Sequence, residues 1–402
     1  MDISRFIEYY QISPDRLDGP ELLTLLIRQM ELGLNGVGKI PMIPSYLPLQ
    51  IQPFTGEPCC VMDAGGTNLR YAKAVFRADG KCVLSGLTKT AMPGTQGELS
   101  AEDFYMSLGS FANKTGHPER IGLCFSYNVL IRRDLDGVLH SWCKEVRVRD
   151  APGKAVGGSL RQAIGPDCKR ITVLNDSTAA LLGAHSMDPD ITVGLILGTG
   201  INVCYPEPCC NISKVPQNLN KEAMIISTEI GEFDAFPKTA FDTAVISASD
   251  EPSMAHAEKQ CAGAYLGDLI CHAWKEALKF GLVDAAFGRT ISLPQISAYL
   301  AGTDSSLPQD ENARIIARTM IHRSAKIAAI LTAGPVLRCS KPGSNCTIAI
   351  EGSQFHKLAF FGDYFIRELT ELLIPKDIRF SIKTMENSCL IGAALAAFAE
   401  PM

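Results

Sequence analysis

The sequence predicts an α/β protein, because short β-rich runs alternate with segments of helical periodicity along most of the chain. Hydrophobic residues make up 46% of the 402 residues and charged residues 20%, so the chain can bury a large core. That composition excludes a disordered or collagen-like protein. The length corresponds to two or three domains, or to one large enzyme with two lobes.

The first half of the chain contains a helix followed by most of the predicted strands. Apolar residues at helical spacing predict a helix over residues 19–33, and the prolines at residues 40–50 predict extended chain. Three β-rich runs separated by turn residues then predict an antiparallel meander, and later extended segments end in a strand that leads into a helix. The meander runs are CCVMDAGG, NLRYAKAVF and KCVLSGL, and the later segments are RIGLCFSYNV, DGVLHSW and ITVLND followed by STAALLGAHS.

The second half opens with another strand–turn–strand, TVGLILGTG and INVCYPE, and is then mainly helical. Apolar spacing predicts helices over residues 253–280 and 309–333. Gly334 and Pro335 are a typical helix stop, so we expect the second of these helices to end there. TIAIEGSQF predicts a buried strand that runs into a polar turn, and LIGAALAAFA predicts a small-residue helix that can pack closely on a sheet.

Charge and cysteine patterns exclude several kinds of partner. The chain carries 38 basic and 43 acidic residues, a net charge of −5, and so lacks the positive surplus that binds a nucleic-acid backbone. Neither a signal peptide nor an uninterrupted apolar stretch of about 20 residues is present, so membrane insertion is not expected. The 14 cysteines fall singly or as adjacent pairs, without zinc spacing. We expect reduced thiols in a cytoplasmic protein with no protein-held structural metal.

Three predicted turns combine glycine with hydroxyl or amide side chains, and each follows a predicted strand. Backbone N–H groups in such turns can approach an anion because no side chain obstructs them. Each turn alone is more often a simple chain reversal, and the phosphate motifs GxxxxGK[ST] and GxGxxG are absent. Three such turns together favour phosphates held between two lobes, at strand ends. Their candidate phosphate-binding residues are Gly65, Gly66, Thr67, Asn68 and Arg70 in the first, Gly198, Thr199 and Gly200 in the second, and Gly352 and Ser353 in the third.

Two aspartates at strand ends are candidates for charge chemistry. Asp63, before the first turn, could hold Mg²⁺ through water, since a carboxylate does not itself attract phosphate. Asp176 could cap the following helix, with Ser177 and Thr178 in the first turn. It could instead be a general base on a cleft floor, accepting a hydroxyl proton as that oxygen attacks a γ-phosphoryl group. The residues alone leave both roles of Asp176 open.

Eight segments occur in order along the chain: DAGGTNLR, FSYN, Trp142-Cys143-Lys144, VLND, LGTGIN, STEIGEF, AEKQCAGAYLGDLI and AIEGS. Together they resemble the eukaryotic-type hexokinase family. The number and order of the motifs are far more specific than any one of them, and the resemblance runs from about residue 20 to the end. The length implies a single catalytic unit and not a tandem one.

The resemblance implies a two-lobed actin-like fold, also called ribonuclease-H-like, whose lobes close on a sugar. It implies a small lobe of residues 58–177 plus 389–402 and a large lobe of residues 1–57 plus 178–388. The implied activity transfers the γ-phosphoryl group of ATP, with Mg²⁺, to the 6-hydroxyl of glucose or a related hexose. Two other functions stay open: a catalytically silent or dual-role sugar sensor, and an actin- or chaperone-like ATPase.

The resemblance also implies roles for individual residues. Asp176 would be the base, and the Lys144 ammonium would stabilise negative charge near the reacting oxygen. The turn at Asp63–Arg70 would be the first phosphate loop, Gly198–Gly200 the second, and Gly352 with Ser353 would lie near the adenosine. Without their motif neighbours, the two glutamates of the sugar site would be interpreted as surface charges. The residues that would bind the sugar are Ser126, Cys143, Lys144, Asn175, Asp176, Asn202, Glu229 and Glu258.

The chain departs from the family pattern in several places. Tyr127-Asn128 stands where the family usually has Phe-Pro, and Ile230 replaces the usual tryptophan. Cys143 stands in place of a threonine, and a thiol is a weaker hydrogen-bond partner than a hydroxyl. Near the carboxyl terminus, Cys389 or Ser388 would take the place of the adenine-side serine. None of these changes removes the base, the phosphate loops or the glutamates, so we expect an active enzyme.

Overall fold

The computed structural model describes residues 1–142, 146–216, 219 and 222–401. The described strands form a five-stranded sheet, a six-stranded sheet and two two-stranded ribbons. The strands are β1 (Ile43–Pro44), β2 (Pro58–Ala64), β3 (Asn68–Phe76), β4 (Cys82–Ala91), β5 (Leu99–Ser100), β6 (Arg120–Phe125), β7 (Asn128–Ile131), β8 (Gly137–Ser141), β9 (Val148–Arg149), β10 (Arg170–Leu174), β11 (Ile191–Leu197), β12 (Ile201–Pro208), β13 (Ala223–Ser227), β14 (Asn345–Glu351) and β15 (Arg379–Lys383).

Helices surround and connect these sheets. Short 3₁₀ turns also occur at Pro14–Arg16, Cys209–Asn211, Ile230–Glu232, Ala285–Gly288 and Ile374–Lys376. The α-helices are α1 (Ile3–Tyr9), α2 (Gly19–Leu34), α3 (Ala101–Asn113), α4 (Val156–Ile164), α5 (Asp176–Met187), α6 (Ala240–Ala248), α7 (His256–Cys261), α8 (Gly263–Lys279), α9 (Leu293–Leu300), α10 (Glu311–Cys339), α11 (Ser353–Lys357), α12 (Phe361–Leu373) and α13 (Ser388–Ala396). Strands and helices alternate as predicted, so the α/β class is confirmed.

The five-stranded sheet has the order β10-β6-β2-β3-β4. Strands β2, β3 and β4 form the predicted antiparallel meander, whereas β6 runs parallel to both β2 and β10. In this register Ala64 lies opposite Phe125, and Leu174 lies opposite Cys124. The carboxyl ends of β2, β6 and β10 therefore meet at one edge of the sheet, which brings together the chain segments that follow them.

The six-stranded sheet has the order β1-β13-β12-β11-β14-β15. Strands β11 and β12 form a hairpin in which Leu197 pairs with Ile201. Strand β14 runs parallel to β11, and Glu351 at its end pairs with Ile196. The second and third glycine turns of the sequence therefore emerge side by side, since each directly follows one of these neighbouring strands.

Helices α5 and α13 pack against each other, and they contact different sheets on their other sides. α13 lies on β2 and β6, whereas α5 contacts β11 and β12. The two helices approach closely at glycines: a Cβ on Gly183 would lie 2.0 Å from the Ser388 carbonyl oxygen, and one on Gly392 would lie 1.9 Å from that of Ala179. The predicted packing of a small-residue carboxyl-terminal helix on a sheet is confirmed.

Helix α10 corrects one prediction. The expected stop at Gly334 and Pro335 is wrong, because the helix continues through both residues to Cys339. Pro335 has no N–H to donate within the helix, which costs about 3 kcal/mol. Gly334 and Pro335 are both buried, and a Cβ on Gly334 would lie 2.9 Å from Leu26 of α2. Tertiary packing of α2 on this turn offsets the missing hydrogen bond.

The segment predicted as helical at residues 253–280 contains two helices, α7 and α8. They are separated at Ala262, which has extended backbone angles of φ −76° and ψ 157°. In the described part of the chain, no helix combines the length and apolarity needed to cross a membrane.

Candidate active site

The first glycine turn closes the β2–β3 hairpin. The Gly65 N–H donates to the Asn68 carbonyl oxygen at 3.0 Å, and the exposed Asn68 side chain donates to Thr67 Oγ1 at 2.7 Å. Asp63 and Arg70 lie opposite each other across the hairpin. The Arg70 guanidinium donates to Asp63 Oδ2 through Nε at 2.9 Å and through Nη2 at 2.6 Å. In this structure Asp63 therefore balances the charge of Arg70 beside the turn.

The second and third turns touch each other. The Gly198 N–H donates to the Gly200 carbonyl oxygen at 3.0 Å, which closes the second turn. Gly352 has a φ of +115°, and a Cβ there would lie 2.2 Å from the Leu197 carbonyl oxygen. Only glycine fits this approach, because the backbone angle and the distance both exclude a side chain. Thr199 and Ser353 are exposed beside it.

Asn175 and Asp176 lie at the junction of β10 and α5. The cap of α5 is Asn175, whose Oδ1 accepts from the Ser177 N–H at 2.9 Å. Asp176 is the first residue of the helix, with its side chain partly exposed and Oδ1 2.8 Å from the same N–H. The capping role that the sequence left open for Asp176 thus belongs to its neighbour.

Asn202 and Glu229 hold each other through reciprocal hydrogen bonds. The Asn202 Nδ2 donates to Glu229 Oε1 at 2.7 Å, and the Glu229 N–H donates to Asn202 Oδ1 at 3.0 Å. The backbone of Glu229 is left-handed, with a φ of 55°, which is uncommon for a residue with a side chain. The two contacts with Asn202 fix the carboxylate in one orientation at the end of β13.

Two buried serines connect this pair to Asn175. The Ser177 hydroxyl donates to Asn175 Oδ1 at 2.8 Å and lies 3.1 Å from the Ser227 hydroxyl. Ser227 in turn donates to Glu229 Oε1 at 3.0 Å. Neither serine is among the predicted site residues, although each lies within two positions of one. Polar side chains from the ends of β10, β12 and β13 therefore form one hydrogen-bonded network.

Glu258 is hydrogen-bonded next to the second turn. Its Oε2 accepts from the Ile201 N–H at 3.0 Å. A Cβ on Gly200 would lie 2.5 Å from that same oxygen, so glycine at this position leaves room for the carboxylate. Glu258 is partly buried on the short helix α7, and is not the fully exposed surface charge that its local sequence alone would indicate.

Burial and neighbouring charge change the protonation of Glu229. Loss of hydration raises its pKa to about 7, and the negative charges of Asp176 and Glu258 also raise it. The hydrogen bonds that Ser227 and Asn202 donate act in the opposite direction, because they stabilise the carboxylate. Asp176 and Glu258 are thus both close enough to Glu229 to influence its protonation.

Glu351, at the end of β14, is a second acidic residue with a raised pKa. Burial is the main cause, and the charges of Asp63 and Asp176 act in the same direction. The Cys389 thiol, 3.4 Å from Glu351 Oε2, and the charge of Arg70 oppose that shift. Glu351 was not among the predicted site residues, although the segment AIEGS contains it. Its position is set by the parallel pairing of β14 with β11.

The remaining predicted residues have the following places. Ser126 is buried directly after β6, and its N–H donates to the Ala64 carbonyl oxygen at 3.2 Å. Ser388 and Cys389 are both buried at the start of α13. Cys143 and Lys144 lie outside the described residues. Among the described residues, no group of three or more His, Cys, Asp or Glu side chains is placed to hold a metal ion.

The architecture is that of the two-lobed, actin-like sugar kinase fold. A solved hexokinase from Schistosoma mansoni, complexed with glucose, matches with a TM-score of 0.83, covers 99% of each chain and is 21% identical. Two family models described as hexokinase match residues 2–186 and 192–399. The chain belongs to the hexokinase family.

Curated relatives agree with this assignment over nearly the whole chain. Hexokinase-7 of Oryza sativa subsp. japonica is 28% identical, over 96% of this chain and 93% of its own length. Hexokinase-2 of Candida albicans is 25% identical, over 97% of this chain and 90% of its own length.

Proposed function

We propose that the protein is an ATP-dependent hexokinase that phosphorylates glucose or a related hexose at its 6-hydroxyl. The network that joins Asn175, Ser177, Asn202, Ser227 and Glu229 carries this proposal. Hexose hydroxyl groups need both donors and acceptors, and an oriented array of amide and carboxylate groups supplies them. The array lies at the same edges of the two sheets as the glycine turns, which suits transfer from a phosphate to a bound sugar.

In the proposed mechanism, Asp176 accepts the proton of the 6-hydroxyl as that oxygen attacks the γ-phosphorus of ATP. The Asp176 side chain is partly exposed at the start of α5, which leaves it accessible to a substrate hydroxyl. Family resemblance adds Lys144 as the cation near the reacting oxygen and Cys143 as a sugar contact. The remaining sugar contacts that we propose are Ser126, Asn175, Asn202, Glu229 and Glu258.

The phosphates would be bound by the glycine turns. We propose that Gly65, Gly66, Thr67, Asn68 and Arg70 contact the phosphates from one side, and Gly198, Thr199 and Gly200 from the other. Gly352 and Ser353 would lie near the adenosine. The Gly65 and Gly198 N–H groups already donate within their turns, so the anion donors that we propose are the other backbone N–H groups of these turns.

Family membership implies a magnesium ion that accompanies ATP. The donor chemistry fits such an ion, since Mg²⁺ typically takes one or two carboxylates together with phosphate oxygens and water. Asp63, partly buried before the first turn, is the residue that we propose to hold it through water. When bound, the ion would offset phosphate charge in the transition state.

We also propose lobe boundaries that follow the sheets. The small lobe would comprise residues 58–177 plus 389–402, and the large lobe residues 1–57 plus 178–388. Strands β2 to β10 all lie within the first of these, and α13 returns to pack on β2 and β6. A cytoplasmic location is a further proposal, supported by the thirteen described cysteines, which are all free thiols.

The decisive experiment measures ADP release from MgATP with and without glucose, with the sugar product identified. Glucose-stimulated ADP release together with hexose 6-phosphate is the expected result. Sugar binding without turnover would instead indicate a silent sensor, and ADP release unaffected by sugar would indicate an ATPase switch. A panel of glucose, mannose and fructose at fixed MgATP then identifies the preferred hexose.

The Asp176→Asn variant tests the proposed base in the same assay. We expect turnover to fall by a factor of about 10² to 10⁴, with glucose binding nearly unchanged, because the amide cannot accept the proton. Asp190→Asn, at an exposed position just beyond the same helix, is the matched control. Near-normal turnover of Asp176→Asn would remove Asp176 from this role.

A further inference from the structure

Tyr127 is hydrogen-bonded to the first glycine turn. Its Oη donates to the Gly65 carbonyl oxygen at 2.6 Å, although the two residues are 62 positions apart in the chain. The ring is 4% exposed and packs against Phe125 and Trp142, with ring centroids 4.7 Å and 5.0 Å away. Because this packing restricts the Tyr127 side chain, the hydroxyl that donates to the Gly65 carbonyl oxygen has a nearly fixed position.

The Gly65 carbonyl and the Gly66 N–H belong to one peptide group. The group is planar and trans, so the two bonds point in opposite directions. Neither glycine has a side chain that would restrict rotation of this peptide group about the neighbouring bonds. A bond from Tyr127 to the carbonyl therefore directs the Gly66 N–H away from the aromatic cluster, towards the open side of the turn. No acceptor among the described residues bonds that N–H.

We propose that Tyr127 is a positioning residue that holds the Gly66 N–H towards a phosphate group of the nucleotide. The inference rests on the proposed function, because it assigns the first turn to ATP. Tyr127 also follows Ser126, whose N–H bonds to Ala64, so the sugar-side strand end and the phosphate turn are joined by two adjacent hydrogen bonds.

The Tyr127→Phe variant removes the hydroxyl and keeps the ring. The test titrates wild type and variant with a non-hydrolysable MgATP analogue, in the presence of glucose, by calorimetry. We expect about fivefold weaker nucleotide binding, as for loss of one neutral hydrogen bond of ~1 kcal/mol. In steady-state assays the KM for MgATP should rise by a similar factor, with the KM for glucose unchanged. If Tyr127 had only a structural role, the KM values for MgATP and glucose would change together.

Tyr105→Phe is the matched control. Tyr105 is 3% exposed, and its hydroxyl has no hydrogen-bond partner within the described part of the chain. Its removal should leave nucleotide affinity unchanged. Equal nucleotide affinity of Tyr127→Phe and wild type overturns the inference, as does an equal loss for glucose and nucleotide or the same loss in Tyr105→Phe.

Measurements on the wild-type protein distinguish a failure of the hexokinase proposal from a failure of the inference about Tyr127. If the wild-type protein binds the nucleotide but makes no sugar phosphate, the hexokinase proposal fails, and the calorimetric comparison still decides the role of Tyr127. If the wild type binds no MgATP analogue, the role of Tyr127 in phosphate binding is overturned as well.

Discussion

Glu229, one of the proposed sugar contacts, has a strongly raised pKa. Burial and the charge of Asp176 raise its pKa to about 7, against an ordinary value of 4.5. Between these two values the folded protein binds a proton that the unfolded chain does not. The contribution of Glu229 to stability is therefore present at low pH and is lost as pH rises through about 7.

At high pH the buried Glu229 carboxylate is charged, which lowers the free energy of unfolding. The Glu229→Gln variant should remove this cost because glutamine is never charged. We expect it to be more stable than wild type at pH 8, by about 3 kcal/mol at most, with little difference at pH 5. Thermal unfolding of both proteins across that pH range measures the effect, and Glu57→Gln at an exposed position is the control. A stability difference independent of pH would contradict the raised pKa. Glucose binding should weaken in the variant, because glutamine replaces an ionisable acceptor.

The type of an individual residue was the least informative feature for identifying the site. Glu229 and Glu258 have no local feature that distinguishes them from surface charges, and only the surrounding motifs singled them out. Ser177, Ser227 and Glu351 were missed, because what makes them notable is a partner remote in sequence. Ser177 and Ser227, for example, are 50 positions apart, yet their hydroxyls lie 3.1 Å from each other.

At the level of elements, the contact between α5 and α13 connects the two main sheets. α5 begins at the proposed base, and α13 lies on the strands that precede the first turn and Ser126, a proposed sugar contact. Glycine at positions 183 and 392 allows the helix backbones to touch. The contact therefore sets the position of Asp176 relative to both sheets.

The Gly392→Ala variant tests this contact. A Cβ there would lie 1.9 Å from the Ala179 carbonyl oxygen, so the helices must separate. We expect a loss of about 1–3 kcal/mol in the free energy of unfolding, measured by urea denaturation, and reduced turnover. Gly97→Ala is the control, because a Cβ at Gly97 meets nothing within 4 Å. Equal stability of Gly392→Ala and wild type would show that α13 can shift freely.

Most elements could be predicted from periodicity and turn residues, including α2, the meander and α13. The end of α10 could not, since Gly334-Pro335 is locally a stop signal. The deciding factor is the burial of that turn against α2, which is remote in sequence. The division between α7 and α8 was missed for a related reason: apolar spacing continues across Ala262, whose extended backbone interrupts the helix.

At the scale of the molecule, the proposed sugar contacts come from both main sheets. Ser126 and Asn175 follow β6 and β10 of the five-stranded sheet. Asn202 lies in β12, and Glu229 lies two residues after the end of β13; both strands belong to the six-stranded sheet. A hexose bound by all four would connect the sheets, so its binding energy would stabilise their relative arrangement.

Glucose should therefore raise the temperature of thermal unfolding of the whole chain. At a concentration 100 times its Kd, a ligand specific for the folded state adds about 2.7 kcal/mol. Differential scanning calorimetry measures the shift, with L-glucose as the matched control sugar. The Asp176→Asn variant should retain the shift, whereas Glu258→Gln should reduce it. An equal shift with L-glucose would argue against a specific hexose site.

The α/β class, the order of most elements and the family resemblance, which the family models confirm, all followed from the sequence. They did so because periodicity, turn residues and motif order are properties of neighbouring positions. The fold was needed to show which carboxylates are buried, that Asn175 and not Asp176 caps α5, and that Tyr127 is hydrogen-bonded to the first turn. Those features depend on the pairing of distant strands and on side chains that meet only after the two sheets have formed.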